Sequence, residues 1–404
     1  MEMIRCDQIE SILKKGKPSP ADVPWYGEPN LGGYYGEEEI EAVVKVLRES
    51  THWSVGFSSK SKEISQFEEM LADYCGAKYA VALTNCGAGL ELALRTLDLK
   101  PGDEVICPAV NYKAAHMAVI DRGAQVVFCD IDPVTFNIDP SDVVKRITSK
   151  TRAIIPVHLH GLSSPIDKLE EIAEEFAHNR HGPLKIIGDA ARACGAGYKE
   201  EKVGATGWAT CFSFHSQKLI TTLGEGGALV TNDSTLAQKV RDMCFYGGET
   251  GWGMNYRMNK VQAAVGMIQL KRLDKMINQR RKVAKRRTML LSDVFGISLP
   301  VEPVDYYHAY YVYPIMVKPE WAGEKRDLIL KMMEEKFGIV CSVTNRPVYQ
   351  RWSYIAEKCG VPKLPVSEVI GERLFCPPLH PELNEEQENY ISSSIIETIN
   401  SLKV

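Results

Sequence analysis

The chain has no paired-cysteine motif. Its eleven cysteines stand singly, several inside apolar runs (Val105-Ile106-Cys107, Val127-Phe128-Cys129, Thr210-Cys211-Phe212), and no Cys-x-x-Cys occurs. The spacing that clamps a structural zinc ion is therefore missing. An odd number of isolated thiols predicts free, buried cysteines in a reducing compartment, not a disulfide framework. The chain also has no excess of one charge: Lys and Arg number 48 against 52 Asp and Glu, a formal charge of -4. That balance argues against a nucleic acid or an anionic membrane as the main partner. There is no apolar run of about 18 residues such as a membrane span needs. Residues Met1 to Pro20 carry Arg5, Asp7, Glu10 and Lys14, Lys15 and Lys17 where a secretion signal would be apolar, so a cytoplasmic location is expected. Internal repeats and low-complexity tracts are absent too.

What is there is the composition of a folded protein. Over 404 residues, 45% are hydrophobic and 25% charged, enough chain for two or three domains at roughly 150 residues each. Helical spacing of apolar residues marks Glu37–Arg48 and Ile64–Tyr74. Short β-branched runs then alternate with helical stretches. The predicted strands are Tyr79–Leu83, Glu104–Cys107, Gln125–Cys129, Ala153–His158, Lys185–Gly188, Thr210–Phe214 and Gly227–Thr231. Between them fall predicted helices at Gly89–Thr96, Lys113–Arg122, Pro140–Ile147 and Pro165–Ala177. Such alternation predicts an α/β fold around a mostly parallel sheet, covered on both faces.

From Val261 a long helical pattern follows, with nine Lys or Arg within Lys271–Arg287, read as a solvated helix face bridging two domains. A strand-like run at Tyr310–Val317 and helices at Lys325–Lys336 and Asn384–Leu402 outline a smaller C-terminal α+β domain.

In parallel sheets ligands gather at the carboxyl ends of strands. The polar residues there are Thr84 to Gly87, Asn111, Asp130, His158, Asp189 and Lys218. Lys218 follows the apolar run Phe212-Ser213-Phe214 and precedes Thr221-Thr222-Leu223-Gly224-Glu225-Gly226-Gly227. A lysine desolvated in such a turn loses part of its proton affinity and becomes a nucleophilic amine. Asp189, ending Ile186-Ile187-Gly188-Asp189 among small residues, suits the partner of a pyridinium nitrogen. Asn85-Cys86-Gly87-Ala88 leads into a helix whose free N–H groups and dipole suit a phosphate.

Taken in order, Asn85-Cys86-Gly87-Ala88, Pro108 through Tyr112, Asp189-Ala190-Ala191, Phe212 through His215 with Lys218, Gly224-Glu225-Gly226-Gly227, and Asn255-Tyr256-Arg257-Met258 with Gln262-Ala263-Ala264 resemble the DegT/DnrJ/EryC1/StrS aminotransferases. The likeness runs from about Tyr34 to Leu402 and takes in His160-Gly161 and Pro377-Pro378-Leu379-His380-Pro381.

The resemblance implies a pyridoxal 5'-phosphate (PLP) enzyme of fold type I, like aspartate aminotransferase. It implies a seven-stranded, mostly parallel sheet in a large PLP-binding domain at 34–260, after an N-terminal arm at 1–33 and before a helix linker and small α+β domain at 261–404. The activity implied is transfer of an amino group from L-glutamate or L-glutamine to the keto group of a ketosugar, nucleotide-linked or free, or of an inosose-like cyclitol. By position, Lys218 matches the lysine that forms the internal aldimine, Asp189 the pyridinium partner, and Tyr112 the aromatic ring over the cofactor. Ser213 and the backbone of Cys86 and Gly87 match phosphate contacts. Asn255, with Arg257, matches a loop that reaches the neighbouring subunit's phosphate, which requires a homodimer with shared active sites.

Two departures stand out. Cys86-Gly87 replaces the Gly-Thr of many relatives and removes a hydroxyl donor to the phosphate. Arg192 replaces the usual Gln; a permanent cation beside the cofactor phenolate lowers the pKa of the aldimine, and Arg192→Gln raises it. Family dehydratases carry histidine where this chain has Lys218, which favours transamination over dehydration. A non-catalytic PLP-binding regulator, or a decarboxylation or β-elimination on the same fold, are the other readings; no DNA-binding helix-turn-helix precedes Tyr34. Trp53, Trp252, Arg346 and His308 are candidate acceptor contacts, in or near the loops His52–Lys60, Gly247–Gly253 and Thr344–Arg351.

Overall fold

The structure is a computed structural model that describes residues 26–58, 60–178, 181–249, 251–343 and 345–402. Most of the expected N-terminal arm, Cys6 with it, and Thr344 of the third acceptor loop lie outside the described residues.

The strands, in chain order, are β1 (Tyr79–Leu83), β2 (Glu104–Pro108), β3 (Gln125–Cys129), β4 (Thr151–Ile154), β5 (Lys185–Asp189), the two-residue β6 (Gly197–Tyr198) and β7 (Glu201–Lys202), β8 (Ala209–Ser213) and β9 (Gly227–Thr231). Seven of them form one sheet in the order β1-β9-β8-β5-β4-β2-β3. These are the seven expected strands. β4 starts two residues earlier than expected and stops at Ile154, because Val157 and His158 leave the ladder and bridge only to Asp189.

Pairs β2/β3, β2/β4, β4/β5 and β5/β8 are parallel; β9 runs antiparallel to both neighbours. An antiparallel neighbour needs no helical crossover, so β8 returns directly as β9 through the turn that carries Lys218. Central strands β2, β8 and β9 are buried along their whole length, as a sheet covered on both faces requires.

After the helix Ser234–Cys244, which the sequence pattern did not suggest, the 32-residue helix Lys260–Leu291 crosses the molecule. Its basic stretch is not a uniformly solvated face. Arg280 and Arg287 are among the most deeply buried side chains described. Arg280 donates to the carbonyls of Tyr310, Tyr311, Leu379 and Gly32, and Arg287 pairs with Glu388. Helical spacing puts these cations on the face of Ile277, Val283, Ala284 and Leu291, all buried; charge alone gave no sign that carbonyls would surround them.

Strands β10 (Ile297–Ser298), β12 (Ile315–Val317) and β13 (Leu374–Phe375) make a second, antiparallel sheet, while β11 (Tyr306–Tyr307) pairs with β6. Ile329 and Met333 from the helix Glu324–Phe337, and Ile391, Ile395 and Ile399 from the helix Glu385–Ser401, share a buried cluster with Phe375. Tyr310–Val317 is strand only from Ile315; Ala309 to Tyr313 are buried in irregular backbone. Helices Val348–Arg351, Ser353–Cys359 and Pro365–Arg373 were not expected. Eight of the ten described cysteines are buried, and none of the ten is in a disulfide.

Candidate active site

The carboxyl ends of β5 and β8 and the turn after β1 open on one cleft of about 790 Å³. Glu28, Asn85, Cys86, Gly87, Asn111, Tyr112, Asp189, Arg192, Ser213, Lys218, Asn345 and Arg351 are among the residues that line it. Seven of the expected site residues are therefore brought together: Cys86, Gly87, Tyr112, Asp189, Arg192, Ser213 and Lys218. Asn255 is not among them. It is exposed, and its Oδ1 accepts from Arg257 Nε at 2.9 Å. Its segment runs beside the end of β1, where Thr84 N–H donates to Tyr256 O at 2.7 Å.

Each local structure has a cause. Asn85 caps the helix Cys86–Thr96 by accepting from Ala88 N–H at 2.8 Å, which leaves the earlier Cys86 and Gly87 N–H groups without an intrahelical acceptor, on residues that line the cleft. Gly227 lets β9 begin against this turn: a Cβ there would lie 2.3–2.7 Å from the Asn85 and Cys86 backbone. The Lys218 turn is tied by Lys218 N–H to His215 O (2.9 Å) and Ser216 N–H to Gly224 O (3.0 Å), with Leu223 and Gly224 at positive φ. Gly32 presses on it so closely that a Cβ would meet the carbonyl oxygens of Gln217 and Lys218 at 2.2–2.3 Å. This contact pins the segment before Tyr34 to the lysine turn and carries Glu28 into the cleft.

Asp189 is buried at the end of β5 and accepts from Asn111 Nδ2 at 3.0 Å and from Ala191 N–H at 3.2 Å. The Cys86 thiol, not merely its backbone, sits beside it: Sγ lies 3.4 Å from Cys211 O and 3.8 Å from Asp189 Oδ1. Burial, and then the neighbouring Asp189 charge, push that thiol well above the usual cysteine range, so it stays neutral. Burial and then the positive charge of Arg192 bring the Lys218 amine down to about 8. Burial alone would pull the Arg192 guanidinium down, but Glu28, Tyr311 and Asp189 more than offset it and hold it above the usual arginine range. Arg192 Nη2 donates to Asn345 Oδ1 at 3.1 Å, and its Nη2 lies 3.9 Å from Glu28 Oε1.

The residues fit PLP. Helix-start amides suit its phosphate, Asp189 suits a protonated ring nitrogen, and Lys218 is an amine of lowered basicity. The half-exposed Tyr112 presents a ring at the cleft, packed edge-on against Trp352 with centroids 5.7 Å apart. Arg192 Nε and Asn345 Nδ2 are buried donors with no partner among the described residues, and both belong to side chains that line the cleft.

Of the acceptor candidates, none lines this cleft. His308 is buried and stacked on Tyr310 at 3.9 Å, Trp53 is 90% exposed, Trp252 packs under Arg95 at 3.5 Å, and Arg346 lies against Gly371. Sequence reasoning missed Glu28 and Tyr311 as site residues; Asn345 and Arg351, which line the cleft, fell within the expected acceptor loop Thr344–Arg351 without being singled out, and Asn111 appeared only as a polar residue after a strand. Among the described residues no cluster of His, Cys, Asp or Glu could hold a metal ion, and no helix is long and apolar enough to cross a membrane.

A fold of this order with these residues around one cleft defines a PLP-dependent enzyme of the aminotransferase type. The family model described as the DegT/DnrJ/EryC1/StrS aminotransferase family matches residues 34–396. GDP-perosamine synthase of Escherichia coli O157:H7 is 34% identical over 389 residues, covering 93% of this chain and 98% of that protein. The crystal structure of S. venezuelae DesV in complex with a ketimine intermediate superposes with a TM-score of 0.81 at 32% identity, over 90% of this chain and 94% of that one. The PLP form of a putative sugar aminotransferase, Spr1654 from Streptococcus pneumoniae, gives a TM-score of 0.85 at 25% identity, over 92% and 98% of the two chains. The chain belongs to the DegT/DnrJ/EryC1/StrS aminotransferase family and is a PLP-dependent transaminase.

Proposed function

We propose that this transaminase takes its nitrogen from L-glutamate or L-glutamine and delivers it to the keto carbon of a sugar, nucleotide-linked or free, or of an inosose-like cyclitol. The observation that carries the reading is the convergence of Lys218, Asp189 and the Cys86-Gly87 helix start on one cleft. When bound, PLP supplies an electron sink for charge developing at the donor Cα. The residues divide the remaining work. Lys218 holds the cofactor and, once released, moves the proton at Cα, a task its lowered basicity suits. Asp189 would keep the ring nitrogen protonated, the Cys86 and Gly87 amides with Ser213 would bind the phosphate, Tyr112 would supply the aromatic ring against the cofactor, and Arg192 would hold its phenolate oxygen anionic.

Asn255 is proposed to act across a homodimer interface, on the partner's phosphate; its exposure outside its own chain's cleft supports that reading. Residues 34–260 and 261–404 are proposed as the two domains, and the lack of a disulfide among the ten described cysteines supports a reducing, cytoplasmic setting.

Two measurements test this. Protein converted by its donor to the amine-bearing form is offered nucleotide-linked ketosugars, free ketosugars and an inosose, each separately: amine product and recovery of the starting spectrum with one of them is the expected result, and recovery with none contradicts the acceptor class. Mixing inactive Lys218→Ala with inactive Asn255→Ala should restore about a quarter of wild-type activity if sites are shared, since half the dimers are mixed and each then holds one intact site; no recovery contradicts sharing.

A further inference from the structure

In the wall of the cleft, Lys218 is linked to Glu28 by two hydrogen bonds that the roles above do not use. Its Nζ donates to Tyr311 Oη at 3.4 Å, and Tyr311 Oη donates to Glu28 Oε1 at 2.8 Å. Tyr311 is buried, whereas the Glu28 side chain keeps 27% of its surface exposed. A line of donors thus leads from one cleft-lining group, the Lys218 amine, through the buried Tyr311 to another, a carboxylate that reaches water. The other charged or titratable groups facing Lys218 are Arg192, Asp189 and the Cys86 thiol, and none of them offers it such a path.

The line joins three segments far apart in the chain, and the fold holds them deliberately close. Arg280, fully buried in the long helix, donates to Tyr311 O at 3.2 Å, to Tyr310 O at 3.3 Å and to Gly32 O. It therefore fixes the backbone of the Tyr311 segment and of the Glu28 segment at once, while Gly32 lies against the backbone of Lys218 itself. A buried cation that satisfies carbonyls of both segments costs desolvation, and what it secures is the placement of Tyr311 and Glu28 beside the lysine.

We propose that Tyr311 and Glu28 form a proton relay for Lys218, with Tyr311 touching the reacting amine and Glu28 and Arg280 as positioning residues. The inference rests on the reading of Lys218 as the amine that holds the cofactor. In the step, a proton passes from the Lys218 ammonium to Tyr311 Oη while the phenolic proton passes to Glu28. Tyrosine is unchanged, no bond to carbon is made or broken, and an ammonium with a carboxylate becomes an amine with a carboxylic acid, which exchanges its proton with water. The relay returns the lysine to its neutral form whenever the cofactor is released from it or must be recaptured.

Holoenzymes of wild type, Tyr311→Phe, Glu28→Gln and the double variant test this, by the rate at which L-glutamate or L-glutamine converts the bound chromophore in H2O and in D2O. Each single variant should slow conversion about tenfold or more and lose the solvent isotope effect, in line with loss of a proton-transfer group. The double variant should be no slower than either single, since the two act as one unit. Additive losses, or an isotope effect unchanged in all variants, overturn the relay and leave a packing role. If neither donor converts the wild-type chromophore, the aminotransferase donors proposed above fail on their own. The relay is then decided by PLP capture in the cofactor-free proteins: slower capture by Tyr311→Phe supports it, and equal rates overturn it.

Discussion

Asn111 Nδ2 donates a 3.0 Å hydrogen bond to Asp189 Oδ2, and both side chains are buried where β2 and β5 end. The remaining oxygen of Asp189 takes Ala191 N–H and lies near the Cys86 thiol. The carboxylate is thereby oriented by groups that cannot remove its charge. Asn111→Leu deletes one of these donors at similar volume. We expect conversion of the bound cofactor by the amino donor to fall about tenfold, for the loss of one hydrogen bond to a charged group, about 1.5 kcal/mol, with little change in the amount of PLP retained. Stopped-flow absorbance measures both; an unchanged rate contradicts a positioning role for Asn111.

The lowered basicity of Lys218, about 8 instead of the ordinary 10.5, makes a signed prediction for capture of PLP by cofactor-free protein. Only the neutral amine attacks. Below pH 8 the rate should rise about tenfold per pH unit, and above it the rate should level, because the amine is already neutral. A rate still climbing towards pH 10 contradicts the burial and Arg192 charge invoked here.

Arg192 stands 3.9 Å from Glu28 and under the influence of Tyr311 and Asp189, so it stays charged across the working range. Arg192→Gln removes that cation. The absorbance titration of the lysine–cofactor linkage should then shift to higher pH by about one unit, since an adjacent positive charge favours the unprotonated form. A titration that stays put or moves down contradicts the placement of Arg192 beside the cofactor.

The Arg287–Glu388 pair is almost wholly buried, with Nε to Oε1 at 2.9 Å. Removing one partner leaves the other charge buried alone, and Arg287→Ala should cost about 3–5 kcal/mol of stability. Arg287→Met with Glu388→Leu should recover most of that loss, because neither charge is then stranded. Urea denaturation of the three proteins checks this, and a single variant as stable as wild type contradicts it.

How much of this was legible in the sequence follows from range. The seven strands of the main sheet, the helices between them, the strand-end position of Asp189 and the turn that carries Lys218 are written in local periodicity, and the structure returns them with shifted ends, the largest at β4, which stops at Ile154, and at the helix that starts at Cys86 and not at Gly89. Asn85, the cap, and Cys86-Gly87, the helix start, are likewise local. Glu28 and Tyr311 are not. Their proximity depends on Arg280 and Gly32, residues whose roles exist only once the chain has folded. The same limit applies to Arg287: nine cations in one helix read as a wet surface, and only the tertiary neighbours Glu388 and Pro378 show that part of that surface is core. Ser234–Cys244 has a plain local signal, the Asp233 cap accepting from Thr235 and Leu236, that pattern reading overlooked.

The most direct measurement is the visible spectrum of the purified protein, recorded before and after L-glutamate and L-glutamine are added separately, with Lys218→Ala alongside. Wild type should carry a yellow chromophore that one of the donors bleaches, and the variant should show no conversion by either. A wild-type protein that binds no PLP, or a Lys218→Ala protein converted as fast as wild type, would contradict the assignment of Lys218 at the centre of this site.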